Sequence, residues 1–183
     1  MSKYTIRVGS DDCAESPEDW SEWKLYSFHR DSRVNPSEWL NCDGTGATSE
    51  IAEQLESGSA FILSCYQHGQ VQWGLVGEVH QCRWDTAQVA GILVWEGEEP
   101  LTGDYKTRQS NARNFLSEYT SWANGEVYYV TIEGEDGEVL DSCGGFIGWS
   151  AVEEYAKEQA EAIRGNDEGA EFVCPDSQEE FWN

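Results

Sequence analysis

The chain has 183 residues, with 35 Asp and Glu against 11 Lys and Arg, a formal net charge of -24. Such a surface repels nucleic acid and anionic lipid, and it attracts proteins whose working surface is basic, an encounter the field can speed by roughly 10- to 1000-fold at low salt. With 39% hydrophobic residues, nine Trp, eight Tyr and six Phe, the chain holds enough apolar area to fold, which excludes a disordered acidic tail.

No Pro- or Ser-rich linker divides the chain, so one α+β domain is expected over residues 1–165, followed by an acidic, aromatic tail over 166–183 that docks or stays flexible. Residues 126–183 carry sixteen acids against Lys157 and Arg164, whereas residues 61–125 carry seven against Arg83, Lys106, Arg108 and Arg113. The acidic face is therefore expected in the C-terminal third and the core in the middle. The start MSKYTIRVGSDD has no signal-peptide pattern and no run reaches the ~18 apolar residues of a membrane span, so a soluble protein of the cytoplasm is expected, without membrane contact. Six scattered cysteines without a CxxC pair read as thiols in a reducing compartment.

Alternation around Ile6 predicts a first strand over Tyr4–Val8, and the polar loop Gly9–Asp19 follows, with SPED as a turn signal. A second strand is expected over Trp23–His29, with Trp23, Leu25 and Ser27 on one face and Lys24, Tyr26 and Phe28 on the other, closed by Arg30, Asp31 and Arg33. Gly44 and Gly46 mark a loop. Ser49 then reads as the N-cap of a short helix through Glu56, with Ile51 and Leu55 inward and Glu50, Glu53 and Glu56 outward. The apolar runs Ala60–Tyr66, Val71–Val79 and Gln88–Trp95 are expected as central strands.

Ala112, Phe115, Leu116, Tyr119, Trp122 and Ala123 recur at helical spacing, which predicts a long helix over Lys106–Ala123 stopped by Asn124-Gly125. Gly134–Gly137 sets a tight hairpin between strands at Val127–Ile132 and Glu138–Ser142. Gly144–Gly148 reads as a strand-to-helix turn; it lacks the order of a phosphate-binding loop, and Asp141 would repel phosphate. Ser150 and Glu153 predict a capping box for a last helix whose stripe is Val152, Tyr155, Ala156, Gln159, Ala160 and Ile163, ended by Gly165. Phe172, Phe181 and Trp182 remain in the tail. Together the elements predict an α+β fold, a largely antiparallel sheet with two or three helices packed on one face.

Two kinds of site are open. The run His80-Gln81-Cys82-Arg83-Trp84-Asp85 holds the densest set of reactive side chains. On a strand His80 and Cys82 would share a face, giving a cysteine-dependent enzyme centred on Cys82 with His80 or His68 as base, or a structural thiol beside a hydrogen-bonded histidine. Zinc would have to draw His80 and Cys82 together with two of His68, Cys65, Cys143 and Cys174 without the familiar paired spacing, so neither metal nor cofactor is expected. The second kind of site is acidic. At about 1.5 Å rise per residue, Glu154, Glu158 and Glu161 are spaced by roughly 4.5–6 Å and Glu50, Glu53 and Glu56 by roughly 4.5 Å, on the order of the charge spacing along a nucleic-acid strand. Such rows are either solvated helix faces or stand-ins for phosphates.

The segments SPEDW (16–20), Tyr26-Ser-Phe-His-Arg30, Cys82-Arg-Trp-Asp-Thr-Ala-Gln88, Gly125-Glu-Val-Tyr128 and Asp141-Ser-Cys-Gly-Gly-Phe-Ile-Gly148 carry a resemblance over most of residues 15–160. In these the chain resembles a family of small accessory proteins of tailed bacterial viruses. It departs from that pattern at QHGQVQWG around His68-Gly69 and in a shortened stretch over 96–106. The resemblance implies a nonstructural viral protein of the host cytoplasm and assigns no catalytic residue. In charge and size alone the chain is similar to DNA-mimicking inhibitors of restriction or CRISPR nucleases. The functional expectation is thus a counter-defence inhibitor that binds no nucleic acid itself. It would seat the glutamate rows in the basic groove of a host nuclease or other nucleic-acid-binding complex. The alternatives are the Cys82 enzyme and an acid-rich binding protein adapted to a saline cytoplasm.

Overall fold

The computed structural model describes residues 2–29, 35–41 and 47–173. The readings placed on Arg30, Asp31, Arg33, Cys42, Gly44, Gly46, Cys174, Phe181 and Trp182 lie outside the described residues. The fold is α+β, but where one body is expected over residues 1–165 the chain forms two compact units: residues 1–15 with 125–183, and residues 16–124. Each has its own sheet, its own helix and its own core, so each is described by itself.

The first unit is built on strands β1 (Lys3–Ser10), β6 (Val127–Glu133), β7 (Val139–Ile147) and β8 (Glu171–Val173), in the order β7-β6-β1-β8. All pairs are antiparallel except β1 with β8, where Tyr4 lies opposite Phe172 and stacks on it. The start of the expected tail is thus the edge strand of this sheet. Helix α4 (Trp149–Asn166) covers one face, with Val152, Ala156 and Ala160 fully buried against Ile6, Val130 and Ile132. Small residues at 156 and 160, one helical turn apart, let the helix axis approach the sheet closely. The hairpin at 134–137 forms as expected, with Gly134 N–H donating to the Glu138 carbonyl at 2.8 Å and Gly137 at φ 76°.

Three local readings of this unit are corrected. Ser150 is not a cap: the helix begins two residues earlier than that cap implies, with Gly148 (φ 82°) as N-cap and no side-chain cap hydrogen bond. Gly165 does not end the helix, which runs on to Asn166 before an extended Asp167. Gly144–Ile147 is the second half of β7 rather than a turn. There the register against β6 shifts between Tyr128 and Val130, Gly145 takes φ 78°, and its N–H donates to Asp11 Oδ2 at 3.0 Å.

The second unit holds strands β2 (Trp23–Ser27), β3 (Ala60–His68), β4 (Gln70–Leu75) and β5 (Thr86–Trp95) in an antiparallel sheet of order β2-β5-β3-β4. Helix α3 (Tyr105–Ala123), capped by Asp104 through the Thr107 N–H, lays Ala112, Phe115 and Leu116 on one face. Over Ala90–Val94 β5 is apolar and buried because both faces are covered: Leu93 joins the α3 side, while Ile92 and Val94 join Leu40, Ile51 and Ala60 on the other. Fully buried Trp23 donates its indole N–H to Asn111 Oδ1 at 2.7 Å, tying β2 to α3.

The short helical elements differ from expectation in their ends. SPED is a true capping box, Ser16 and Asp19 exchanging bonds at the start of α1 (Pro17–Trp20). Ser49 opens a 3₁₀ turn to Ile51 and caps nothing; α2 (Ala52–Ser57) follows and is closed by Gly58 at φ 76°.

Gly91 lies opposite Ser27 at the end of the β2–β5 pairing. A Cβ there would lie 2.4 Å from the Tyr26 carbonyl oxygen, a backbone atom that cannot step aside. Gly91→Ala is expected to cost about 1–3 kcal/mol of stability. The measurement is urea unfolding followed by Trp fluorescence, since seven of the nine Trp lie in residues 16–124. Gly165→Ala, in the last turn of α4 with open space around it, is expected to stabilise by up to about 1 kcal/mol, read by circular dichroism.

Candidate functional site

The reactive run around Cys82 does not lie on a strand. β4 ends at Leu75 and β5 begins at Thr86, so His80, Cys82, Arg83 and Trp84 sit in the connecting loop. The strand expected over Val71–Val79 as an apolar run stops four residues short of its end. The chain instead turns at Gly77 (φ 84°), with Glu78 N–H donating to the Leu75 carbonyl. The Thr86 hydroxyl fastens the loop, donating to the His80 carbonyl at 2.7 Å and accepting from Cys82 N–H at 2.9 Å.

The loop brings Cys82 and His68 to a common carboxylate. Cys82 Sγ lies 3.2 Å from Asp85 Oδ2, and His68 Nδ1 lies 3.4 Å from the same oxygen. In a thiol nucleophile–base pair the imidazole contacts the sulfur and the carboxylate orients the imidazole. Here the carboxylate holds the middle position. His80 turns away from Cys82 to pack edge-on against Tyr66, with ring centroids 4.8 Å apart. The Arg83 guanidinium lies over the Trp84 ring, 5.0 Å from its centroid. The pairing of His80 with Cys82 on one face is therefore corrected, and the connection that the sequence reading missed is Asp85. Its signal was its position three residues beyond Cys82, a turn spacing.

Among the described residues, no group of three or more His, Cys, Asp and Glu is arranged to hold a metal ion. Of the other thiols considered, Cys65 is buried on β3, and desolvation lifts it from the ordinary value of 9.0 to about 11. Cys143 lies in the first unit, on β7.

Asp85, Trp84, Phe28, Gln67, Ala87 and Val89 line part of a cleft of about 800 Å³ at this end of the sheet. Trp84 is 83% exposed, more than any other large apolar side chain described. Gln67 Oε1 accepts from His29 Nε2 at 2.9 Å, and the Gln67 backbone N–H donates to the Asp85 carbonyl. The shape of the cleft follows from a β-bulge. The β3–β5 register moves from Leu63 opposite Gly91 to Cys65 opposite Ala87, so extra residues of β5 are accommodated between them.

The glutamates expected to face outward do so. Glu154, Glu158 and Glu161 are exposed on one side of α4, along a shallow furrow of about 320 Å³ shared with Ser150, Glu153 and Lys157. Lys157 Nζ pairs with Glu153 Oε1 at 2.5 Å, a cation inside the acidic row. Glu50, Glu53 and Glu56 are exposed on the 3₁₀ turn and α2, and the Thr48 side chain, by hydrogen bonding, holds the Glu50 carboxyl below its ordinary range. The two rows belong to different units.

A third carboxyl behaves differently. Glu18 is half-buried and accepts the Leu25 N–H at 2.8 Å; desolvation nevertheless raises its pKa above 4.5, outweighing that bond and the nearby Lys24 charge. Among the described residues, no helix is long and apolar enough to cross a membrane. In comparisons with known protein families, with curated proteins and with solved structures, no match was found.

Two expectations follow. The rise of Cys65 to about 11 lowers its thiolate fraction roughly 100-fold at pH 8, so iodoacetamide should label exposed Cys13 in the native protein and reach Cys65 only on unfolding, read by peptide mass. For Glu18, a raised folded-state pKa means a contribution present below the unfolded value and lost as pH rises through the folded one. Glu18→Gln keeps the acceptor for Leu25 N–H and should raise the melting temperature at pH 7, the difference shrinking toward pH 4.

Proposed function

We propose that this chain is a viral counter-defence inhibitor that occupies the basic, nucleic-acid-binding groove of a host nuclease or recognition complex with an acidic surface. The observation that carries this reading is the exposed row Glu154, Glu158 and Glu161 on an 18-residue helix whose opposite side is buried in the first unit's core. Glu154 and Glu158 stand four residues apart, where like charges destabilise a helix. Burial of Val152, Ala156 and Ala160 holds the helix in place in spite of this repulsion. The outer face is then a rigid rail of carboxylates at roughly one per turn, offered to a partner that has evolved to bind phosphates.

The net charge of -24 supports the same reading, because it disfavours nucleic acid as the partner and draws basic surfaces in. The resemblance of the motifs to small proteins of tailed bacterial viruses supplies the setting: a host cytoplasm with defence nucleases to be blocked. The Glu50, Glu53 and Glu56 row is a second set of phosphate stand-ins in this proposal.

The test is capture of host proteins on the tagged chain at low and high salt. The expected result is retention of a nucleic-acid-handling enzyme that duplex DNA or about 0.5 M salt displaces. The triple variant Glu154→Lys, Glu158→Lys, Glu161→Lys, folded by circular dichroism, should lose at least ~10-fold in retention and in inhibition of that enzyme. Unchanged inhibition by the variant would remove α4 from the interface, and failure to retain any basic partner would overturn the proposal.

A further inference from the structure

The cleft beside Trp84 is not used by the acidic rail. It lies at the bulged end of β5 in the second unit, whereas α4 belongs to the first. Three features of it point to one chemistry.

Trp84 presents its indole to solvent from a loop whose backbone the Thr86 hydroxyl ties at His80 and Cys82. The ring already carries a guanidinium, that of Arg83, at 5.0 Å from its centroid, which marks it as a platform for a planar cation. Beside it is Asp85, a third exposed in its side chain. Among the described residues both of that side chain's contacts fall on Oδ2, so Oδ1 keeps its acceptor capacity. The β-bulge that opens β5 at Ala87–Val89 makes the room, and bulges serve to re-aim strand residues in this way.

We propose that this cleft receives an arginine side chain of a basic polypeptide, stacked on Trp84 and hydrogen-bonded through its guanidinium to Asp85. A guanidinium is planar, permanently charged and forked, so it can lie on an indole and donate to a carboxylate at once, which an ammonium does less well. The chain's charge of -24 selects a basic occupant over an anionic one. The inference rests on the basic partner of the proposed function and gives it a second, short-range contact in the other unit. Arg83 sets the sign of the test: it repels an incoming cation but would attract a nucleotide phosphate.

The experiment is an NMR titration of the ¹⁵N-labelled full chain at low salt, following the indole signal assigned to Trp84 by its loss in Trp84→Phe. The probes are the peptide acetyl-Gly-Arg-Gly-amide, its neutral citrulline counterpart and guanosine monophosphate. The arginine peptide is expected to saturate the Trp84 signal in the millimolar range, as one cation–π contact with one charge-assisted pair should. Asp85→Asn should weaken it by about 5-fold, Arg83→Ala should strengthen it by about 2-fold, and the citrulline peptide should not saturate. The other indole signals report that each variant is folded. The idea fails if the Trp84 signal does not saturate with the arginine peptide, or if citrulline binds as well. Saturation by guanosine monophosphate, weakened in Arg83→Ala, would make the cleft a nucleotide site and overturn it also. The α4 triple-lysine variant keeps Trp84 and Asp85, so the arginine peptide should still saturate its Trp84 signal and the citrulline peptide should not, which makes loss of the rail and loss of the cleft separate results.

Discussion

The second unit depends on one close approach, that of the β2 backbone to Gly91. β5 is the strand on which the sheet is built, paired with β2 on one side and β3 on the other, and covered on both faces. A side chain at 91 would meet the Tyr26 carbonyl. Without one, β2 can pair through Ser27, whose hydroxyl donates to the Ala90 carbonyl at 2.9 Å, and the Phe28 N–H reaches the same acceptor. The bulge begins immediately beyond. It inverts the facing of the strand, so that Ala90 joins Leu93 on the α3 side while Val89 joins Ile92 and Val94 on the other. The strand thereby passes from a core element to the wall of a cleft within four residues, and Trp84 and Asp85 are delivered by the loop that leads into it.

The same unit closes its far edge with side chains. β4 is an edge strand, and unpaired edge groups invite another chain. Here Asn124 accepts from Val71 N–H and donates to the Val71 carbonyl, both at 2.9 Å, while the Thr120 hydroxyl accepts Trp73 N–H at 3.0 Å. The C-terminal turn of α3 thus acts as a short substitute strand. Asn124, read from sequence only as a helix stop, has this second role, and the chain leaves for the other unit at the next residue.

Much of the element pattern was legible because it rests on periodicity. α3 follows from apolar residues at helical spacing, β2 from strict alternation, and the 134–137 hairpin from its two glycines. What escaped was set by tertiary context. Ser150 and Glu153 have capping-box spacing, but Gly148 can take φ 82° and starts the helix where β7 ends, so the box has no free N–H groups to satisfy in the expected place. The end of the apolar run, Val76–Val79, lost to the turn that Gly77 allows. The division into two units falls where the charge balance changes, near residue 125, but no linker marks it, because the chain passes directly between them at Glu15-Ser16 and at Asn124-Gly125. For the sites, the outward glutamates could be read from helical phase alone. The contact of Asp85 with Cys82 had a turn spacing as its signal, but that with His68 had none, since it needs the register that places His68, the last residue of β3, beside the loop.

The acidic surface contributes little to holding the fold. Among the described residues the ion pairs of Lys and Arg engage Glu78, Glu133 and Glu153, all at least partly exposed, where such pairs add at most about 1 kcal/mol each. Stability comes instead from the apolar cores, which carry the repulsion of the rest. Such an excess is consistent with adaptation to saline solvent as well as with a binding role, but solvent adaptation gives no reason to hold a tryptophan 83% exposed beside a carboxylate. In a binding protein the two features divide the work. A diffuse field acts over about a Debye length and raises the rate of encounter with a basic surface, while salt weakens it. An aromatic anchor acts only at contact and slows departure, which is where most differences in affinity between related complexes arise. A chain with the field alone would bind any basic protein briefly; in the proposed binding role the cleft beside Trp84 would add the short-range selectivity that a rail of carboxylates lacks.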